Sequence, residues 1–118
     1  MRNMIMTATR PKMLALILAL FCLSGAAAQA QDAAILQLSI QKHRFEPSEI
    51  RAPANRPITL KIKNLDPTPI EFESVALRVE KVIKGNTEAV VNLRPLKPGR
   101  YNFFDEFNPQ AKGVLVVE

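Results

Sequence analysis

The sequence predicts an all-β sandwich of Greek-key type with seven to eight short strands, preceded by a cleavable signal peptide. Apolar residues alternate with polar ones in several segments after residue 31, and this period of two is typical of strands with one buried face. Clusters of Pro, Gly, Asn and Asp separate these segments. No segment after residue 31 has the period of a helix longer than one turn. Short strands at this spacing are typical of a sandwich or a barrel.

The first thirty residues have the features of a secretory signal peptide. Three basic residues precede an unbroken apolar run over residues 13–23, and Ala28-Gln29-Ala30 then fits the A-x-A cleavage pattern. The apolar run is shorter than the roughly 20 residues that cross a bilayer. We therefore predict cleavage after Ala30, a signal peptide over residues 1–30 and a periplasmic domain over residues 31–118. The exported part is not expected to insert into the membrane.

Removal of this segment changes the charge and cysteine counts. The whole chain has 16 basic and 11 acidic residues, whereas residues 31–118 have 13 and 11. This small, scattered excess argues against nucleic-acid binding, which uses a concentrated basic surface. The sole cysteine, Cys22, lies in the signal segment, so the exported domain is expected to have no disulfide. Its 88 residues suffice for one domain with one modest core.

The strands and turns can be placed in order along the chain. Alternation predicts strands over residues 36–41, 58–63, 77–80 and 100–103, and the β-branched run over residues 114–117 predicts a more deeply buried closing strand. Turns are predicted over residues 53–57, 66–69, 84–86 and 95–99. In the first of these turns, Asn55 is expected to adopt the left-handed conformation.

Two pairs of acidic residues stand beside aromatic ones. Glu71 and Glu73 are two positions apart on a strand, so their side chains share one face while Phe72 points to the core. Asp105 and Glu106 follow an aromatic strand at a point where the chain must change direction. Carboxylates that converge would repel each other, and a bound cation would relieve that repulsion.

The motifs of the exported segment occur in a particular order. They are Phe45-Glu46-Pro47, Glu71-Phe72-Glu73-Ser74, Leu96-Lys97-Pro98-Gly99-Arg100-Tyr101 and Gly113-Val114-Leu115-Val116. This order resembles the cupredoxin-like domain of the EfeO type, small periplasmic proteins that accompany bacterial high-affinity ferrous iron permeases. The resemblance implies a cupredoxin-like sandwich in which the two acidic segments meet at one end. It also implies a protein that binds iron or hands it on, and that assists iron oxidation, with the inner-membrane permease or its periplasmic accessory proteins as partners.

The sequence departs from this family where the family carries metal ligands. Cupredoxins place a ligand Cys after the Tyr strand, where this chain has Phe104-Asp105-Glu106, and iron-linked relatives often have a His in the place of Asn108. Blue copper needs a thiolate and two imidazoles, whereas residues 31–118 contain no Cys, no Met and one His, His43. We therefore expect a harder ion held by oxygen, such as ferric iron, manganese, calcium or magnesium. The resemblance implies iron as the cofactor, with copper only at a non-blue site.

The candidate metal ligands also have a structural interpretation. They are Glu71, Glu73, Asp105, Glu106, Glu80 and His43. The acids can instead form surface ion pairs of little energetic weight with Lys61, Lys63, Arg78 and Lys81. Both interpretations stay open for Glu71 and Glu73. The pattern favours a functional role for Asp105, a structural one for Glu106 and Glu80, and a solvated position for His43.

Two classes of function are compatible with these sequence features. The first is an iron-handling periplasmic protein, a binding or electron-transfer accessory rather than an enzyme, with ferroxidase activity only alongside a partner. The second is a metal-free sandwich that serves as an interaction module, with an acidic docking rim for a basic partner. A hydrolase is not expected, because the sequence offers no nucleophile–base pair beyond His43 and scattered serines.

Overall fold

The computed structural model describes residues 32–118, which form nine strands in two sheets. The strands are β1 (Ala34–Gln41), β2 (Arg44–Glu46), β3 (Glu49–Ala52), β4 (Ile58–Asn64), β5 (Ile70–Ser74), β6 (Val79–Ile83), β7 (Glu88–Leu93), β8 (Gly99–Asp105) and β9 (Asn108–Val117). The predicted signal peptide and its cleavage site lie outside the described residues. No helix in residues 32–118 is long and apolar enough to cross a membrane.

The two sheets have strand orders that require crossovers between them. One sheet has the order β2-β1-β4-β7, and the other has the order β3-β9-β8-β5-β6. The β1–β4 and β3–β9 pairs are parallel, and the other pairs are antiparallel. The predicted all-β sandwich is confirmed. In the five-stranded sheet, β5 lies between β6 and β8, so three acidic segments that are distant in sequence become neighbours.

The alternation in the sequence corresponds to burial in the central strands. On β4, Ile58, Leu60 and Ile62 are almost completely buried, while the residues between them are half-buried or exposed. Leu38 and Ile40 of the neighbouring β1 are buried on the same side. Burial of each such aliphatic side chain contributes about 1.5–3 kcal/mol relative to exposure. The four-stranded sheet therefore provides one half of a core that holds the five-stranded sheet in place.

Three phenylalanines form the centre of the core between the sheets. Phe45 packs edge-to-face on Phe103, with ring centroids 5.0 Å apart, and on Phe72 at 6.2 Å. Phe72 and Phe103 are tilted against each other at 5.1 Å. Such aromatic pairs add about 0.5–1.5 kcal/mol each to the burial of their area. Because Phe72 is buried here, the residues on either side of it in β5 must face outward.

One predicted strand begins later than the sequence indicated. Residues 75–78 form a turn, and β6 starts only at Val79. The turn is held by Ser74, whose hydroxyl donates to the carbonyl of Asn102 (2.6 Å) and accepts from the Leu77 amide (3.1 Å). Arg78 closes it with a φ of 56°. The alternating apolar side chains of this segment are compatible with a turn whose apolar members pack at the sheet edge.

The predicted number of strands is too low, whereas the predicted conformation of one turn residue is confirmed. The prediction of seven to eight strands falls short of nine because β2 and β3 have only three and four residues. The strand β7 had no recognised alternating pattern, since Val90 and Val91 are adjacent. Asn55 adopts the left-handed conformation as predicted, with a φ of 58°.

The packing of Gly113 on Phe103 gives a test of the core. A Cβ at Gly113 would collide with the Phe103 ring and would lie 3.0 Å from the backbone carbonyl oxygen of Ser48, and Phe103 is itself packed on the other two rings. We expect Gly113→Ala to lower the free energy of unfolding by about 1–3 kcal/mol, as overpacking does. Gly99→Ala is the matched control, because its Cβ would lie 3.5 Å from Tyr101 Cε2, an ordinary contact. Equal urea midpoints for the two variants would contradict this account of the core.

Candidate metal site

The pairing of β5 with β6 places acidic residues directly opposite each other. Glu73 pairs with Glu80, and Glu71 pairs with Val82, so all four side chains project from the outer face of the sheet. Like charges that face each other across an antiparallel pair destabilise it. The register is nevertheless fixed, because Phe72 must point into the core. The sheet therefore holds Glu73 and Glu80 together against their mutual repulsion.

A further carboxylate comes from the turn between β8 and β9. The amide of Glu106 donates to the carbonyl of Glu71 (2.9 Å), which brings this turn against β5. The result is a carboxylate cluster of Glu71, Glu73, Glu80 and Glu106, each with an oxygen within 4.8 Å of those of the others. The structure thus brings together four of the six residues proposed as ligands from sequence.

The carboxylates of the cluster have no ion-pair partner in the part of the chain that the structure describes. None of the four takes part in an ion pair within residues 32–118. Lys61 and Lys63, proposed as ion-pair partners, belong to β4 in the other sheet. Lys81 pairs with Phe72 across the strands and therefore projects from the opposite face. The structural interpretation of these acids as surface ion pairs is not supported by the geometry.

The neighbouring acids raise the pKa of Glu71 above its usual value. A hydrogen bond with the side chain of Glu80 is the largest cause that raises its pKa, followed by partial desolvation. The charges of Glu106, Glu80 and Asp105 raise the pKa further. A proton shared between Glu71 and Glu80 is therefore one way to relieve the repulsion, and a bound cation is another.

One oxygen of the cluster is buried without a partner. Glu73 Oε2 is inaccessible to solvent and accepts no hydrogen bond from any of residues 32–118. A buried carboxylate oxygen without a donor is costly, and native proteins usually satisfy such atoms with a hydrogen bond, a water molecule or an ion. The donor set fits a hard cation, which prefers carboxylate oxygens. It does not fit a blue-copper centre, because the cluster contains neither thiolate nor imidazole.

Asp105 does not belong to the cluster, although the sequence placed it there. It is fully buried, and its Oδ1 accepts hydrogen bonds from the amides of Glu71 and Phe107, both at 3.0 Å. The cause is the same period of two that governs the strand. Phe103 points inward and Phe104 outward, so Asp105 points inward and Glu106 outward. Strict application of the alternation could have separated the two acids.

His43 also lies apart from the cluster. It occupies the tight turn between β1 and β2, where Lys42 and His43 both have positive φ, 51° and 57°. The Asp66 carboxylate accepts from both amides, at 2.6 and 3.0 Å, and lies 4.0 Å from His43 Nδ1. Sequence reasoning gave Asp66 no role beyond a rigid loop. The signal was an Asp just before Pro67, a residue type that binds neighbouring backbone amides.

The raised pKa of Glu71 gives a pH-dependence that can be measured on the metal-free protein. The folded state keeps this proton to higher pH than the unfolded chain, so its contribution is complete at low pH and is lost as the pH rises through the raised pKa. Between about pH 4 and pH 7, we expect the unfolding free energy of the wild type to fall relative to that of Glu71→Gln. Glu46→Gln, on the other sheet, should retain the wild-type profile. Parallel profiles for wild type and Glu71→Gln would contradict this coupling.

Comparison with known proteins identifies the family to which this fold belongs. The chain matches the family model of the cupredoxin-like domain over residues 12–117. An uncharacterised protein of Rickettsia prowazekii is 36% identical over 83 residues, which cover 70% of this chain and 66% of the relative. The chain thus spans slightly less than two thirds of the length of that relative.

Solved structures resemble the same sandwich. The metal-binding domain of the Cu(I)-exporting P-type ATPase CopA of Streptococcus pneumoniae, with Cu(I), has a TM-score of 0.64 and 19% identity over 71% of this chain and 84% of that domain. Auracyanin A, a "blue" copper protein of Chloroflexus aurantiacus, has a TM-score of 0.62 and 14% identity over 74% and 100%. Amicyanin of Paracoccus versutus has a TM-score of 0.56 and 17% identity over 74% and 82%. At these identities the likeness to solved structures concerns the fold alone. Because the family model matches residues 12–117, the chain belongs to the cupredoxin-like domain family.

Proposed function

We propose that this protein is a periplasmic, EfeO-type member of the family that binds iron at the carboxylate cluster and hands it on to an inner-membrane iron permease or its accessory proteins. One observation carries the proposal. Four carboxylate oxygens from β5, β6 and the β8–β9 turn lie within 4.8 Å of one another, and within the described residues Glu73 contributes a buried oxygen without a partner. A cation at this point would satisfy that oxygen and offset the repulsion between the others.

The composition of the cluster favours a hard ion. Carboxylate oxygens suit Ca²⁺, Mg²⁺, Mn²⁺ and iron, whereas Cu(I) prefers sulfur ligands. Manganese and calcium are therefore competitors of iron at this site, and Cu(II) is a competitor at a non-blue site. The CopA domain is a metal-binding domain with Cu(I), and auracyanin A is a "blue" copper protein. Their ligand chemistry cannot be reproduced by residues 31–118, which lack sulfur.

The exposure of the cluster suits transfer rather than permanent storage. Glu71 and Glu73 are half-buried, while Glu80 and Glu106 are exposed. An ion held from one side by these groups would keep positions open to water or to ligands of a partner. Transfer would then be an exchange of oxygen ligands without a change in oxidation state. In this proposal the chain is an accessory that binds iron, and any oxidation of iron requires a partner that accepts the electron.

Apolar side chains beside the cluster favour a second candidate function. Phe107 follows Glu106 at the turn and is 51% exposed, and Val82 lies opposite Glu71 with 56% exposed. An acidic surface bordered by exposed apolar groups suits a protein partner with basic and apolar groups. The alternative is thus an interaction module in which the carboxylates form a docking rim and bind no metal.

Paired substitution of the cluster separates these functions. We expect Glu71→Gln/Glu73→Gln to remain folded and to be at least as stable as the wild type without metal, because the repulsion is relieved and the volume is kept. Wild type should gain thermal stability with ferric citrate, Mn²⁺ or Ca²⁺, by about 2.7 kcal/mol at 100 times the dissociation constant, and the double variant should not. The double variant should also fail to support iron-limited growth.

The matched control for this experiment lies on the other sheet. Glu46→Gln/Glu88→Gln removes the same charge from exposed positions of β2 and β7 and should respond to metal as the wild type does. If none of the three proteins responds to any ion while the double variant still supports growth, the metal proposal is wrong. Loss of growth without any response to metal would instead favour the docking rim.

Copper titration provides an independent test of the ligand set. Residues 31–118 contain no sulfur atom, so we expect Cu(II) to give no intense thiolate-to-copper charge-transfer band in the absorption spectrum. Any weak Cu(II) signal that arises from the carboxylates should disappear in Glu71→Gln/Glu73→Gln. A blue chromophore in the purified 31–118 protein would mean that the ligand set inferred from the sequence is wrong.

A further inference from the structure

Asp105 is the last residue of β8 and is completely buried, although it is a carboxylate. It leads directly into the turn that carries Glu106, a member of the carboxylate cluster. A buried carboxylate is costly unless hydrogen bonds satisfy it, so the contacts of Asp105 show what holds the end of β8 in place.

Asp105 contacts both β5 and the turn between β8 and β9. Its Oδ1 accepts from the amide of Glu71 in β5 and from the amide of Phe107 in the turn, both at 3.0 Å. Its Oδ2 lies 3.5 Å from Asn108 Nδ2. The side chain is completely buried, so these hydrogen bonds are shielded from water. Bonds from amides to a carboxylate are stronger than those between neutral groups, and burial makes their loss more costly.

The same contacts set the positions of two members of the carboxylate cluster. Glu71 provides the amide that Asp105 binds, and Glu106 lies between Asp105 and Phe107 in the turn. The amide of Glu106 donates in turn to the carbonyl of Glu71. Without Asp105, only backbone bonds between β5 and the end of β8 would hold the turn against the repulsion between the Glu71 and Glu106 carboxylates.

We propose that Asp105 is the positioning residue of the carboxylate cluster: its buried carboxylate fastens the β8–β9 turn to β5 and holds Glu71 and Glu106 at the separation that an ion requires. This inference rests on the proposed function. Asp105 itself makes no contact with the ion.

Two substitutions of Asp105 distinguish the effect of its hydrogen bonds from the effect of its negative charge. Asp105→Asn removes the charge but keeps the Oδ1 acceptor, and the Asn108 amide can rotate to accept from the new Nδ2. Asp105→Ala removes both acceptor bonds. We expect Asp105→Ala to weaken Mn²⁺ binding by about 10- to 100-fold, as loss of an outer-shell partner of a metal site does. Asp105→Asn should stay within about threefold of the wild type, since Oδ1 still fixes both amides.

Amide hydrogen exchange in the metal-free protein tests the fastening without any ion. Exchange at Glu71, Glu106 and Phe107 should accelerate in Asp105→Ala and stay close to wild type in Asp105→Asn. Val91→Ala is the control for general destabilisation, because Val91 is buried on β7 in the other sheet. It should lower thermal stability without a selective change at these amides or in the Mn²⁺ affinity of the folded protein.

The outcomes distinguish this inference from the proposed function. If wild type binds Mn²⁺ and Asp105→Ala binds it equally well, or if the three amides keep their protection in Asp105→Ala, Asp105 is not a positioning residue. If Asp105→Asn loses affinity as Asp105→Ala does, the charge rather than the hydrogen bonds matters, and the inference is also wrong. If wild type binds neither Mn²⁺ nor iron, the proposed function fails, while amide exchange still decides whether Asp105 fastens the turn.

Discussion

The packing of three phenylalanines between the sheets is the constraint on which the rest of the structure depends. Phe45, Phe72 and Phe103 come from three strands and meet edge-to-face or tilted, so none of them can turn outward without loss of the core. Their inward orientation fixes which neighbours face the solvent. Glu71 and Glu73 project outward because Phe72 does not, and Glu106 projects outward two positions beyond Phe104 for the same reason.

Core packing therefore holds the acidic side chains of the cluster together, although their charges repel each other. A register shift of one residue would separate Glu73 from Glu80, but it would also expose Phe72. Burial of a large aromatic side chain outweighs a like-charge contact at a partly exposed position, where water reduces the repulsion. The unfavourable electrostatics that remain are evident in the raised pKa of Glu71 and, within the described residues, in the buried Glu73 oxygen that has no hydrogen-bond partner. Both features describe a site that a cation would stabilise.

The fold and the site of this protein are under different constraints. The sandwich is shared with the CopA domain at 19% identity and with auracyanin A at 14%, so most of its residues can change while the alternation and the core volume are kept. The ligand types available for a site are narrow, since residues 31–118 contain no sulfur and their single histidine, in the β1–β2 turn, lies beside Asp66. A carboxylate cluster lies on the outer face of the five-stranded sheet, and a buried carboxylate lies at the end of β8.

The sequence by itself determined the all-β class, the buried faces of β1 and β4, the turn at Asn55 and the common face of Glu71 and Glu73. These features depend on local alternation and on residue conformational preference, which are visible without partners. The tertiary structure alone decided that Glu80 and Glu106 join this face, because only strand order brings β6 and the β8–β9 turn beside β5. It also decided which amides the buried Asp105 binds and that His43 lies away from the cluster. Hydrogen bonds between distant segments settle such contacts, and no local pattern records them.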